Sequence, residues 1–205
     1  MSKKFIGTVL CLAITTLTTP SFAQFGGLGN VLGGSSNSSN SVSAETLVQS
    51  YVGGTQHVMS ADVNLLKAMG LKEQAEREEL AAKNLTQGAT ASGLEDAAKV
   101  QTDSSKALEE AMGAKKVTMS ADSKKLYVAG VVDLVKGIKS YTGMANDVKN
   151  FKPSITSIGS SAGAASYVIK SLPNSITGLK DTLKRTIDFA KENKIALPAD
   201  ATSVL

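Results

Sequence analysis

The stretch SADSKKLYVAGVVDLVKGIKSYTGMANDVKNF, residues 120–151, decides the fold class. Its apolar residues Val128, Val131, Val135, Ile138, Tyr141, Ala145 and Val148 recur every three or four positions. That spacing puts them on one face of an α-helix. Ser120 is a favourable N-cap, and Asp122 complements the positive end of the helix dipole in the first turn. Asp133 and Lys136 lie off the stripe, one turn apart, where they can pair. Two charges in mid-segment also argue against a span across a bilayer. One long helix closing near Phe151 is expected.

Moving toward the C-terminus, two prolines punctuate the pattern. Pro153 is expected to open a helix carrying Ile155, Ile158, Ala162, Ala165 and Ile169, ending by Leu172. Pro173 is expected to start the last helix, with Ile176, Leu179, Leu183, Ile187 and Ala190 turned inward. The tail Ile195-Ala196-Leu197-Pro198 reads as an apolar lid folding back. These three helices, separated at the prolines, are expected to be the firmest core.

Toward the N-terminus, Ser43 is an N-cap with Glu45 in the first turn. Val48, Val52, Thr55, Met59, Val63, Leu66 and Met69 then form one helical stripe. Gly53-Gly54 predicts a kink within it, and Gly70 predicts its end. Leu71 to Gln87 is helical by propensity with a thin stripe of Leu71, Ala75, Ala82 and Leu85, Leu80 standing to one side. Leu94 to Met112 turns Leu94, Ala98, Gln101, Ser105, Leu108 and Met112 inward, a weakly apolar seam. The two segments read as an exposed helical hairpin on the rim. Nothing alternates over a length that demands a strand. The expectation is an all-α fold, an antiparallel bundle of five or six helices over residues 43–205. Aromatic residues are only 4% of the chain and Trp is absent, so small aliphatic side chains must fill the interior.

Ahead of these helices lie two segments of different character. Met1-Ser2-Lys3-Lys4 precedes an apolar run from Phe5 to Leu17, followed by Ser21 and Ala23 at the −3 and −1 positions of a cut. This is the pattern of a cleaved signal peptide, residues 1–23. The run falls short of the ~20 apolar residues a bilayer span takes. Residues 24–42, QFGGLGNVLGGSSNSSNSV, read as a flexible Gly/Ser/Asn tether that cannot bury enough surface to offset its ordering entropy.

The chain carries a single cysteine, Cys11, inside the apolar run. It sits too early, behind Val9-Leu10, for a lipoprotein signal. Cleavage would leave a mature chain without cysteine, excluding disulfides, dithiol redox chemistry and thiolate metal sites. Cleavage also removes Lys3 and Lys4, leaving 20 basic against 18 acidic residues, interleaved along the helices. Nucleic acid is therefore not an expected partner, because a binder concentrates its bases on one face.

Motifs for chemistry are sparse. Gly159-Ser160-Ser161-Ala162-Gly163 fits G-x-S-x-G, but that elbow needs a strand before the serine and a histidine after it. The chain's one histidine, His57, lies upstream. Gly159 and Gly163 read better as small residues at a close helix contact. His57 alone cannot build a zinc site. Asp62, Asp122, Asp133 and Asp147 are scattered, so no metal site is expected. The pairs Glu78-Glu79 and Glu109-Glu110 read as solvated helix faces. Met-Ser-Ala-Asp at 59–62 recurs at 119–122, and a match of this length is close to chance.

No catalytic, cofactor or metal residue is singled out. The expected function is that of a non-enzymatic exported protein, periplasmic or secreted, binding a partner protein or an apolar ligand between its helices. The alternatives are a membrane-active helical protein and an enzyme whose site uses unremarkable residues. Export has a direct check. In a Gram-negative host the periplasmic protein should begin at Gln24 by intact mass, and a retained Met1–Ala23 would refute the signal reading.

Overall fold

A computed structural model describes residues 42–85, 89–113, 117–151 and 160–205. The signal segment, most of the tether, Pro153, Ile155, Ile158 and Gly159 lie outside them. The described residues form five α-helices: α1 (Ala44–Ala68), α2 (Lys72–Asn84), α3 (Ala91–Met112), α4 (Ala121–Asn150) and α5 (Ser160–Glu192). A 3₁₀ turn follows at Ala199–Thr202, and no strand occurs among the described residues. The described chain is all-α.

Local chemistry sets the helix ends. Ser43 Oγ accepts from Thr46 N at 3.1 Å, Thr90 Oγ1 from Gly93 N at 3.2 Å, and Ser120 Oγ from Ser123 N at 3.0 Å. Each satisfies one of the first-turn N–H groups that a helix leaves without a partner. Gly70, with φ of +80°, stops α1. Its N–H reaches Lys67 O at 3.1 Å while Leu71 N reaches Leu66 O at 2.9 Å. This is the left-handed exit that glycine adopts without a steric cost. Lys194, with φ of 53°, makes the same exit from α5, and Ile195 N bonds Ala190 O at 2.8 Å.

The interior is organised around α1 and α4, which run antiparallel and share the most extensive interface. Three glycines set its closeness. A Cβ at Gly54 would stand 2.6 Å from the Tyr141 ring. One at Gly137 would stand 2.6 Å from Val58 Cγ2, and one at Gly130 2.7 Å from Leu65 Cγ and 3.0 Å from Ala61 O. Hydrogen in place of a side chain lets the two backbones approach. Around this seam the core falls into two apolar clusters. One gathers Val58, Leu65, Leu134, Ile138, Leu183 and Tyr127, the last stacked on Phe189 with centroids 5.4 Å apart. The other gathers Leu47, Tyr51, Val52, Tyr141, Ala164 and Val168.

The remaining helices lean on the seam. α2 returns antiparallel to α1, tied by Gln56 Nε2 to Leu85 O at 3.4 Å and Lys67 to Glu79 at 3.2 Å. It buries little, and Leu80 is 60% exposed, as a rim helix should be. Asp133 and Lys136 pair at 2.9 Å. The tail folds back with Ile195 buried, and Ala201 packs into the core beside α4.

Several expectations are corrected. Pro173 does not start a helix. It lies inside α5, where its missing N–H removes the bond to Ile169 O. Nearby hydroxyls cap neighbouring carbonyls, Ser171 Oγ on Tyr167 O at 2.9 Å and Thr177 Oγ1 on Pro173 O at 3.1 Å. α1 runs on through Gly53-Gly54, where the sequence predicts a kink or weak point, and Gly54 lies against Tyr141. Gly163 faces open space and Ala162 is exposed, so Gly163 makes no close contact. Nor do the last helices alone form the firmest core, since α1 is half of its main interface.

The glycines give opposite outcomes by site. Gly130→Ala should cost about 1–3 kcal/mol through overpacking at the seam. Gly163→Ala should add about 0.5–1 kcal/mol, the ordinary gain of alanine over glycine in an open helix. Urea denaturation of both variants measures this, and equal effects would contradict the seam.

Candidate functional site

α3 and α5 run parallel and meet at two points. Tyr167 Oη donates to Leu94 O at 3.5 Å, and Arg185 Nη1 pairs with Glu109 Oε2 at 2.7 Å. Between these ties the facing residues are short: Ala98, Thr102 and Ser105 on α3, Ser175, Gly178 and Thr182 on α5. They cannot fill the space, and a groove of about 300 Å³ remains. Gln101, Lys106 and Met112 also line it from α3, and Leu179 from α5. Its floor is Tyr51 and Asp62 of α1 and Tyr141 of α4. The size matches the lower end of small-ligand pockets.

This explains the weak seam expected along α3. Ala98, Gln101, Ser105 and Met112 do turn to one face, but that face is a groove wall. The core side of α3 is instead Leu94, Ala97, Ser104 and Leu108.

The tyrosines of the floor are fixed in place. Tyr51 and Tyr141 stack with centroids 5.0 Å apart and planes 6° from parallel, and Tyr167 meets Tyr51 edge-on at 6.3 Å. Thr55 Oγ1 donates to Tyr51 O at 2.8 Å and lies 2.6 Å from Tyr141 Oη. Its one proton being spent, Tyr141 is the donor in that second bond. Burial holds the Tyr141 hydroxyl well above its usual titration range.

Asp62 is the unusual member. It is 2% exposed, and no hydrogen bond or ion pair reaches it among the described residues. Behind it, Glu78 of α2 is fully buried. Ser104 Oγ donates to Glu78 Oε2 at 2.7 Å, while Oε1 has no partner among the described residues. Burial pushes Glu78 up to about 7, against the opposing bond from Ser104. Burial, then the charge of Glu78, raises Asp62 well above the ordinary carboxylate range. Two buried carboxyls without a cation cannot both ionise at low cost, so a proton is retained near neutrality.

Both residues sit where hydrophobic side chains belong. Glu78 falls on the α2 stripe between Ala75 and Ala82, and Asp62 falls on the α1 stripe between Met59 and Leu66. That periodicity was the available signal, and reading Glu78-Glu79 as one solvated pair hid it. Only Glu79 reaches solvent, half-buried and paired with Lys67 at 3.2 Å and Lys83 at 3.0 Å. Glu109 is tied to Arg185 and Glu110 is exposed.

The other candidates stay apart. His57 is exposed on α1, and Ser161 is half-buried in the first turn of α5. Asp122 pairs with Lys125 at 3.3 Å. Asp133 accepts from Ser60 and Asn64. No group of three metal-binding side chains occurs among the described residues, and no described helix is long and apolar enough to cross a membrane. The repeated Met-Ser-Ala-Asp occupies unlike settings: Met59 and Asp62 are buried, Asp122 is exposed. Comparison with family models, curated proteins and solved structures yields no match.

The buried acids make stability depend on pH in a defined direction. Folding raises the proton affinity of Glu78 from the ordinary 4.5 to about 7, so the folded chain holds more protons than the unfolded chain across that window. Stability therefore falls as pH rises from about 4.5 to 7. Glu78→Gln keeps an acceptor for Ser104 and removes the titration. It should leave stability nearly unchanged at pH 4.5 and add on the order of 1–3 kcal/mol at pH 8. Urea melts at both pH values check this, and a variant destabilised at pH 8 would refute it.

Proposed function

We propose that this chain is an exported, non-enzymatic helical-bundle protein that binds a small ligand in the groove between α3 and α5. The observation that carries this reading is the groove itself, about 300 Å³, with the buried carboxyl of Asp62 on its floor. A protein selected for stability alone would place apolar side chains at Asp62 and Glu78. Stability given up at one place is the common mark of a functional site. The signal-like residues 1–23 support export, and the near balance of charge in the remainder supports partners other than nucleic acid.

The lining refines the ligand. Hydroxyls from Thr102, Ser105, Ser175 and Thr182 and the amide of Gln101 are interleaved with the apolar Ala98, Met112 and Leu179 and the rings of Tyr51 and Tyr141. A ligand with both polar and apolar parts fits better than a purely apolar one. The chain's histidine lies outside the groove, which favours binding over acyl transfer.

Thermal shift against a small-molecule collection tests this. A ligand at about 100 times its Kd contributes about 2.7 kcal/mol, a rise of several degrees at this chain length. Gly178→Trp projects a large ring into the groove from a position with no heavy atom within 4 Å of its Cβ. Ligands should stabilise the parent protein and not Gly178→Trp. Equal responses would place binding elsewhere and defeat the proposal.

A further inference from the structure

We infer that the groove is built for a slender ammonium ion, whose charged head docks on Asp62. This rests on the groove reading above and adds the chemical class of the ligand. Asp62 lines the floor, is 2% exposed, and has no hydrogen bond or ion pair among the described residues. A second unpartnered oxygen, Glu78 Oε1, lies behind it. Buried polar groups are almost always satisfied, and a carboxyl left bare at the floor of a groove marks where a partner belongs.

The charges around Asp62 define that partner. From α2 it feels Glu78, and from α4 the groove receives only the neutral Tyr141 hydroxyl. α3 contributes Lys106 and Glu109, and α5 contributes Arg185. Glu109 and Arg185 neutralise each other at 2.7 Å. Both members of that pair are more than half exposed, so they sit at the rim. On α1, Lys67 is engaged with Glu79. The floor thus carries one carboxyl, with the buried Glu78 carboxyl near it, and no cation of its own among the described residues. An anion would gain no ion pair at Asp62, and a neutral ligand would form none either. An ammonium group supplies both the charge and three N–H donors.

The shape sets the rest of the ligand. Asp62 and Tyr51 are eleven residues apart on α1, about 16 Å along the helix axis. A volume of about 300 Å³ drawn out along such a floor is narrow, which suits an unbranched body lying toward the stacked Tyr51 and Tyr141 rings. The hydroxyls of Ser105 and Thr182 are available to polar groups along it, while Thr102 Oγ1 donates to Ala98 O and can only accept.

Binding is coupled to a proton. In the free protein burial, and then the charge of Glu78, favour the protonated form of Asp62. When the ammonium ion docks, Asp62 gives its proton to solvent and the ion pair forms, while the ligand keeps its three N–H bonds. Binding therefore releases a proton wherever Asp62 is protonated in the free protein. Protons and ligand compete for Asp62, so affinity rises with pH, up to tenfold per pH unit, until Asp62 is ionised in the free protein.

Calorimetry of the protein with n-hexylammonium, n-hexanol and hexanoate tests this, in two buffers of different ionisation heat. Hexylammonium should bind one to one, at least tenfold tighter than the alcohol, with net proton release. Asp62→Asn, isosteric and checked for retained helix by circular dichroism, should lose at least tenfold toward hexylammonium and little toward hexanol. Equal affinity for amine and alcohol, with both lost in Gly178→Trp, would overturn the ammonium assignment and leave the groove standing. Hexylammonium binding unchanged in Gly178→Trp would overturn both. Preference for hexanoate, or full affinity in Asp62→Asn, would also overturn the assignment.

Discussion

Two helices approach until something on their surfaces collides, and on α1 and α4 the colliding groups have been removed. With hydrogen at Gly54, Gly130 and Gly137, the Tyr141 ring, Leu65 and Val58 press directly on the opposite backbone. Close approach multiplies dispersion contacts that are individually small. It also fixes the axial register of the pair, because each glycine admits one particular side chain. Every other helix takes its position from these two. α2 is tied to α1 at both ends, α5 meets α4 through Tyr127 Oη and Thr186 O at 2.8 Å, and α3 reaches the interior only where α1, α2 and α5 allow.

Polar stitches within this apolar frame are few and unequal. Thr55 with Tyr141, and Tyr127 with Thr186, are complete bonds between neutral groups in dry surroundings, and they specify which faces meet. Glu78 with Ser104 is incomplete, since one carboxylate oxygen is satisfied and the other is not. The contrast separates structure from site. Complete stitches hold the frame near Tyr141 and Tyr127, and the incomplete one lies beside Asp62, where the frame opens into the groove. The rigid end of the floor is aromatic and the titrating end is acidic.

Much of this was legible in periodicity. Ser120 as a cap, Gly70 as a stop, the α4 stripe from Val131 to Tyr141 and the return of Ile195 follow from local rules, and local rules operate within a turn or two. What escaped were features that depend on the neighbour. Whether a glycine is a contact or a bare surface is decided across the interface, so Gly54 makes the close contact expected of Gly163. Pro173 sits within a helix because tertiary packing on both sides outweighs one lost hydrogen bond and a clash. Glu78 and Asp62 were hidden by chemistry, since an acid is read as solvated even on an apolar stripe. A polar residue at a core position carries more information than the apolar residues around it.

The seam between α1 and α4 also bears on how the chain reaches its fold. Thr55 and Tyr141 are separated by 86 residues, and α2 and α3 lie between them in sequence. Helical proteins usually collapse quickly because their contacts are local, whereas here the decisive contact requires closing a long loop before any of its stabilisation is collected. α2 and α3 are therefore passengers in the search for the native topology. The groove needs α3 in place against α5, and the seam does not. The part of the molecule that would hold a ligand is then also the part that can open locally while the seam remains shut.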